Sequence, residues 1–259
     1  MSMVQTHIDG FIGTVVLNHP EHRNALSGAL ISEMFTAFEE MREAQARVII
    51  LRAFEGAKVW SAGHDVRELP LPGRDPLGYD DPLVRILREI QGLPMPVIAM
   101  IDGSVWGGAC DVALTCDILI GSPKAQFTMT PAKIGVPYNP SGLLRFMNIL
   151  GVNTAKEMFF CAQSITPERA LEVGILNHLV PSEEIEAFTF ELAEKITHNS
   201  PLSIASMKEC FRLLANASPL PPNMFERIQG LRRKVYDSQD YREGIQSFLE
   251  KRPPVFKGE

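Results

Sequence analysis

The sequence has little with which to cross-link itself, bind a metal or span a membrane. Its 259 residues hold only four cysteines, Cys110, Cys116, Cys161 and Cys210. None is part of a C-x-x-C pair, and all lie in apolar or helical surroundings, so they read as reduced, mostly buried thiols of a cytoplasmic protein rather than as disulfides or a metal site. No apolar run approaches the roughly 18 residues of a membrane-crossing helix. The start, MSMVQTHIDG, lacks the charged and apolar regions of a signal peptide. Basic charge is also short: the formal net charge is −6, which argues against a general nucleic-acid binder but leaves room for a local basic patch on a phosphorylated ligand.

What is present is ordinary globular material, 45% hydrophobic and 22% charged, enough for one large core or a core with a small lobe. Thr14 to Leu17 reads as a strand. Ser27 caps a helix whose face is Leu30, Ile31, Met34, Phe35, Phe38 and Met41, and Val48 to Leu51 is a buried strand. The segment from Leu69 to Pro82, rich in proline and glycine, is a surface loop, either a lid or a connector. A short amphipathic helix from Pro82 to Gly92 and a buried strand from Val97 to Ile101 follow. Gly107 to Thr115 is a helix, Asp117 to Ile120 and Gln126 to Met129 are strands, and Ser141 to Ile149 is a helix. Thr166 caps a helix with Pro167 at its first position and Gly174 as its stop. Asn177 to Val180 is the last strand; then Ser182 caps a helix carrying Ile185, Phe188, Leu192 and Ile196. Another helix spans Leu202 to Leu214, and a last one runs to about Leu249. Strands alternate with helices to about residue 180 and give way to helices alone: an α/β core with a C-terminal helical lobe, divided into 1–195 and 196–259.

Two turns rich in small residues carry the chemistry. S-A-G-H-D spans 61–65 and S-V-W-G-G-A-C-D spans 104–111. Gly63 lets backbone approach a ligand, His64 follows it, and Gly108 opens a helix where N–H groups and the dipole favour negative charge. Two such turns are able to aim the N–H groups of His64 and Gly108 at one oxyanion. A tight surface turn and close helix–strand packing account for each motif taken alone. Few acid–base carboxylates surround them, which suits formation of an enolate without a strong base.

The surrounding motifs run the length of the chain: H-R-N-A-L-S at 22–27, P-V-I-A-M-I-D-G-S-V-W-G-G-A-C-D at 96–111, C-D-I-L-I at 116–120, A-Q-F at 125–127, I-T-P-E-R-A-L-E-V-G-I-L-N-H-L-V at 165–180 and F-L-E-K-R-P-P-V-F-K-G at 248–258. With the two turns, they make the chain resemble the crotonase (enoyl-CoA hydratase/isomerase) superfamily. The resemblance implies a spiral of ββα units with a C-terminal helical trimerisation lobe, assembled as a trimer or a dimer of trimers. It also implies an acyl-coenzyme A thioester whose carbonyl oxygen sits between the N–H groups of His64 and Gly108. By the same resemblance Ala25, Ala62, Gly63, Asp65 and Val66 border the pantetheine and adenine. Arg23 or Lys251 pairs with ligand phosphates. Lys251 is expected on the last helix, where it serves a neighbour's site if lobes are exchanged, or else is a solvated charge.

The departures narrow the reading. Hydratases of the superfamily use two glutamates, and here Asp111 and Pro131 stand in their places. Hydration needs one group to orient water and another to move protons, and proline does neither. Tyr138, between Pro137 and Pro140 in V-P-Y-N-P, supplies a hydroxyl to orient a carboxylate by hydrogen bonding. Together T-P-A-K-I-G-V-P-Y-N at 130–139, D-P-L-G-Y-D-D-P-L at 75–83 and F-E-R-I-Q-G-L-R-R at 225–233 resemble the family's methylmalonyl-CoA decarboxylase branch, which tends to keep a glutamate where Asp111 stands. The implied reaction is loss of CO₂ from methylmalonyl-CoA to give propionyl-CoA, with Thr130 lining the acyl pocket. The thioester acts as electron sink, so no metal, biotin, pyridoxal phosphate or other cofactor is expected. The proton given to carbon comes from water or from Tyr138. Against this stand enoyl-CoA hydration or isomerisation with Asp111 as lone acid–base group, and a noncatalytic binder of acyl-CoA or RNA.

Overall fold

The structure, a computed structural model, describes residues 2–215 and 221–259; residues 216–220, within the expected lobe, lie outside the described residues. The chain opens with the antiparallel hairpin β1 (Val4–Asp9) and β2 (Ile12–Leu17), followed by α1 (Gly28–Glu43). Three strand–strand–helix units come next: β3 (Val48–Ala53), β4 (Val59–Ser61) and α2 (Pro82–Gly92); β5 (Val97–Ile101), β6 (Ser104–Trp106) and α3 (Gly108–Thr115); β7 (Ile118–Gly121), β8 (Phe127–Thr128) and α4 (Pro140–Cys161). The first strand of each unit joins one sheet and the second joins another. The orders are β1-β2-β3-β5-β7-β10 and β4-β6-β8-β9, where β9 is Ser164–Ile165 and β10 is His178–Leu179. Each unit pairs in parallel with the one before it in both sheets, so the chain winds as a spiral. Between β9 and β10 lies α5 (Pro167–Glu172), capped by Thr166.

Apolar runs decide which strands are central. Every residue of β5 is buried, as expected of a strand covered on both faces. The α1 face is buried through Leu30, Ile31, Met34, Phe38 and Met41, and Ser27 accepts from the Leu30 N–H at 3.2 Å. The indole of Trp60 donates to the Met100 carbonyl at 3.0 Å, pinning the small sheet to the large one.

Several expectations need correction. The strands β1, β4, β6 and β9 carry no clear two-residue alternation: β1 is an exposed edge, and the others span two or three residues. Ser182 does not cap the next helix. Its hydroxyl donates to Asp102 Oδ1, and α6 (Ile185–Thr197) starts after Glu184 without a side-chain cap. The helix expected to stop at Ile149 bends at Gly151, whose φ is +72°, and continues to Cys161. The expected last helix is two, α8 (Pro222–Tyr236) and α9 (Gln239–Leu249), separated at Ser238, which caps α9. Cys110 and Cys116 are buried, but Cys161 and Cys210 are exposed.

The helices α7 (Pro201–Ala215), α8 and α9 come last, and α9 packs on the helical turns at 131–134 and 66–68. Arg232 of α8 pairs with Asp75, and the Tyr241 hydroxyl of α9 donates to the Pro70 carbonyl at 2.9 Å. The proline-rich loop is thereby fastened at two points. Gly244 of α9 lies against the helical turn 131–134, where a Cβ would strike the Ile134 backbone. Gly244→Ala is therefore expected to destabilise the fold by about 1–3 kcal/mol. It should also raise amide exchange in 131–138, read by hydrogen–deuterium exchange beside a urea unfolding curve.

Candidate active site

Both turns come together at one cavity of about 590 Å³. Gly63 has φ +84°, and a Cβ there would collide with the Trp106 carbonyl. Only glycine permits this crossing without strain. The neighbouring segment holds the turn in place. The Ser61 hydroxyl donates to the Asn24 carbonyl at 2.6 Å, and the Ala62 N–H donates to the Arg23 carbonyl at 2.9 Å. The Leu26 N–H donates to the Gly63 carbonyl at 2.8 Å. Arg23 and Asn24 take left-handed backbone, and buried Asn24 satisfies the bend with its amide, donating to the Trp60 carbonyl and accepting from the His19 N–H.

The consequence is convergence. A Cβ placed on Gly108 would lie 3.4 Å from the His64 nitrogen. Gly108 is the first residue of α3, so its N–H has no intrahelical acceptor. Among the described residues neither this N–H nor that of His64 meets another acceptor. Two unengaged donors beside one cavity form a site for an oxyanion.

Arg23, Ala25, Ala62, His64, Asp65, Val66, Gly108, Thr130, Pro131 and Tyr138 line the cavity. Gly63 shapes it without lining it. Lys251 is not on its wall: α9 ends at Leu249, and Lys251 stands beyond it with φ +57°. The expectation of Lys251 on the last helix is corrected, because its N–H closes the helix end on the Phe248 carbonyl. His22, Leu77, Leu83, Trp106, Lys133 and Phe248, which lie inside the motifs but were given no role, also line the cavity, as does Arg67, which lies outside them. Only the fold brings these separate segments to one wall.

Charges on the wall are largely committed. Asp65 accepts from the Arg67 Nε at 2.8 Å, and this bond holds its pKa below the usual range against the opposing effect of burial. It is the only carboxylate lining the cavity among the described residues. The His64 ring has its Nδ1 3.0 Å from the Asp65 carbonyl and its Nε2 3.5 Å from Asp81 Oδ2. Cations from Arg23, Arg67 and Lys133 give the wall a basic side suited to phosphates. His19, Glu21 and His22 bring ligand atoms within 4.8 Å of one another, but the Arg67 guanidinium stands 3.1 Å from His22 Nδ1. A fixed cation there opposes a metal and suits an anion.

Asp111 lies behind the wall and is fully buried. One of its oxygens pairs with Arg145, and the other accepts the Tyr138 hydroxyl at 2.8 Å. Burial first, and then the Asp111 charge, push the Tyr138 pKa well up, so the hydroxyl keeps its proton. Its one O–H is engaged as a hydrogen-bond donor to Asp111. Both Asp111 oxygens are engaged, which opposes a role as a lone acid–base group.

A family model described as enoyl-CoA hydratase/isomerase matches residues 7–259. Methylmalonyl-CoA decarboxylase of Escherichia coli (strain K12) is 48% identical over 247 residues, covering 95% of each chain. A probable mitochondrial enoyl-CoA hydratase of Dictyostelium discoideum is 31% identical over 254 residues, covering 97% of this chain and 89% of that one. A solved methylmalonyl-CoA decarboxylase in complex with 2-nitronate-propionyl-CoA superposes with a TM-score of 0.97 at 46% identity, covering 99% of this chain and 98% of that one.

Replacing Arg145 with Met should leave the Asp111 charge buried without its cation and cost about 3–5 kcal/mol in urea unfolding. Replacing both, with Met at 145 and Leu at 111, should recover most of that loss.

Proposed function

The chain belongs to the enoyl-CoA hydratase/isomerase family, and from that premise we propose that it decarboxylates methylmalonyl-CoA to propionyl-CoA and CO₂. The observation that carries the reading is the cavity wall: among the described residues two unengaged N–H groups converge there, and its one carboxylate is tied to an arginine. The 48% identity to a methylmalonyl-CoA decarboxylase supports the same choice.

The steps follow from charge. The thioester oxygen sits between the N–H groups of His64 and Gly108. The bond between the α-carbon and the carboxyl group breaks, and its electron pair enters the thioester carbonyl as an enolate. CO₂ leaves neutral. One oxyanion donor is worth about 2.7–4 kcal/mol in such sites. A free protein carboxylate would repel the substrate's own and favour its unreactive protonated form, so Pro131 on the wall serves decarboxylation. Pro131 and the doubly engaged Asp111 remove the groups that hydration or isomerisation would use.

The breaking bond must stand perpendicular to the thioester plane, and Tyr138 with Thr130 bounds the pocket that holds it there. Tyr138 starts with its hydroxyl donating to Asp111. Arg145 keeps its ion pair with the other Asp111 oxygen if that bond is released, so turning the hydroxyl to the substrate carboxylate costs one buried hydrogen bond, about 1–3 kcal/mol, which the new bond offsets. Its raised pKa makes Tyr138 a poor acid, and water delivers the proton to carbon. The thioester is the electron sink, and no resident cofactor enters the scheme.

Arg23, with Arg67 and Lys133, faces the coenzyme A phosphates, and Ala25, Ala62, Asp65 and Val66 flank the pantetheine and adenine. Residues 1–195 act as the core and 196–259 as an oligomerising lobe, except that α6 runs to Thr197 and packs on the core, so the lobe begins after it; exposed apolar side chains on α7 and α8 such as Phe211, Leu214 and Leu231 support its role. Assembly is as a trimer or a dimer of trimers, and the setting is the cytoplasm. Among the described residues no helix is long and apolar enough to cross a membrane.

Incubation with malonyl-, methylmalonyl- and crotonyl-CoA, scored by mass, should give propionyl-CoA and CO₂ from methylmalonyl-CoA. Efficient hydration of crotonyl-CoA without CO₂ release would sink the proposal. Tyr138→Phe should lower kcat for CO₂ release on the order of 100-fold through lost orientation; an unchanged rate removes the hydroxyl from the mechanism.

A further inference from the structure

The His64 ring is held between two acceptors. Its Nδ1 is 3.0 Å from the Asp65 carbonyl, which has no proton to give, and its Nε2 is 3.5 Å from Asp81 Oδ2. A neutral imidazole carries one N–H, so one nitrogen would turn a lone pair toward an oxygen. A ring protonated on both nitrogens presents an N–H to both oxygens at once. Both side chains are 14% exposed, so water does little to relieve a mismatch.

Asp81 is also structural. Its other oxygen, Oδ1, accepts from the N–H groups of Leu83 at 2.9 Å and Val84 at 3.4 Å, capping α2. Leu83 then closes over the second turn, where a Cβ on Gly108 would lie 2.6 Å from its Cδ2. One carboxylate therefore contacts the His64 ring and caps the helix whose Leu83 packs against Gly108.

We propose that Asp81 is a positioning residue of this site: one oxygen caps α2 while the other holds the His64 ring as an imidazolium, placing a fixed positive charge beside the converging N–H groups. The catalytic part of the inference rests on the decarboxylase reading. In that reaction the substrate's negative charge moves from its carboxylate to the thioester oxygen as CO₂ leaves neutral. A cation on the oxyanion residue attracts the anionic substrate and favours the enolate as charge arrives.

The charged groups facing the ring agree with this. Burial alone lowers a histidine's pKa, but the Asp81 carboxylate and the Asp65 carbonyl outweigh it, and Glu68 adds at longer range, so the pKa is raised. The Asp65 carboxylate is occupied by Arg67, and a Glu68 oxygen accepts the Gly28 N–H at 2.7 Å. Asp81 is thus the carboxylate in contact with the ring. A folded-state pKa above the unfolded one stabilises the fold fully below about pH 6.5, and the contribution is lost as pH rises through the folded value.

The test is Asp81→Asn, since Asn is also a good helix cap and keeps α2 in place. NMR titration of the full-length protein labelled in its histidine rings, with His64→Gln to assign the signal, reads the protonation of His64. The wild-type midpoint should lie above the ordinary value, and D81N should lower it by about one pH unit or more. The alkaline fall in kcat/KM for CO₂ release should move by the same amount, with kcat at pH 7.5 about tenfold lower. Asp81→Glu should restore part of the titration shift, and Asp81→Ala should lose the cap as well and melt lower than D81N. A His64 midpoint at or below the ordinary value, or one unchanged in D81N, overturns the proposal. Failure of the wild type to release CO₂ would instead overturn the function while leaving the titration to judge the ion pair.

Discussion

The site depends on the close crossing of two backbones. At Gly63 the chain takes φ +84° and presses against the Trp106 carbonyl, leaving no room for a side chain. That contact brings the His64 nitrogen to the start of α3, where the Gly108 N–H has no helical partner. Neither turn makes an oxyanion site alone. The parallel sheets bring them together, because β4 and β6 are neighbours and each turn follows its strand. The winding of the units and the chemistry of the cavity are therefore one geometric fact.

Around this crossing, polar groups are used to fix backbone and to remove unwanted reactivity. Asn24 and Ser61 bind the left-handed turn at 23–24 to the 61–65 loop. Arg67 occupies Asp65, and Arg145 with Tyr138 occupies Asp111. Among the described residues the one carboxylate on the cavity wall and the one behind it are thus both engaged. For a substrate that carries its own carboxylate this matters more than supplying a base, since the electrons come from the substrate and a second anion would hold them back.

The C-terminal helices also shape the cavity. The Tyr241 hydroxyl and Arg232 hold the proline-rich loop that ends at Asp81, and Gly244 seats α9 on the turn that carries Pro131. Phe248 joins the cavity wall directly. Mutations in the lobe are therefore expected to reach the acyl pocket through the loop and the turn, by contact rather than by long-range effects.

Much of the fold was legible in the sequence because local signals sufficed. The Ser27 cap, the α1 face, the Pro82 start and the apolar runs of β3 and β5 depend on neighbours three or four residues away. The glycine turns and the substitution of Asp111 and Pro131 for glutamates also lay in the sequence, and they pointed to the enolate chemistry. The short strands β4, β6 and β9 were not legible, since two or three residues carry no period and are strands only because partners lie alongside. The same holds for Arg145 on Asp111, 34 residues apart, and for Asp81 beside His64. The sequence by itself determined which turns and which missing acids define the site. Tertiary structure alone decided which charges meet, because an ion pair is set by distances in space that winding creates between residues far apart in the chain.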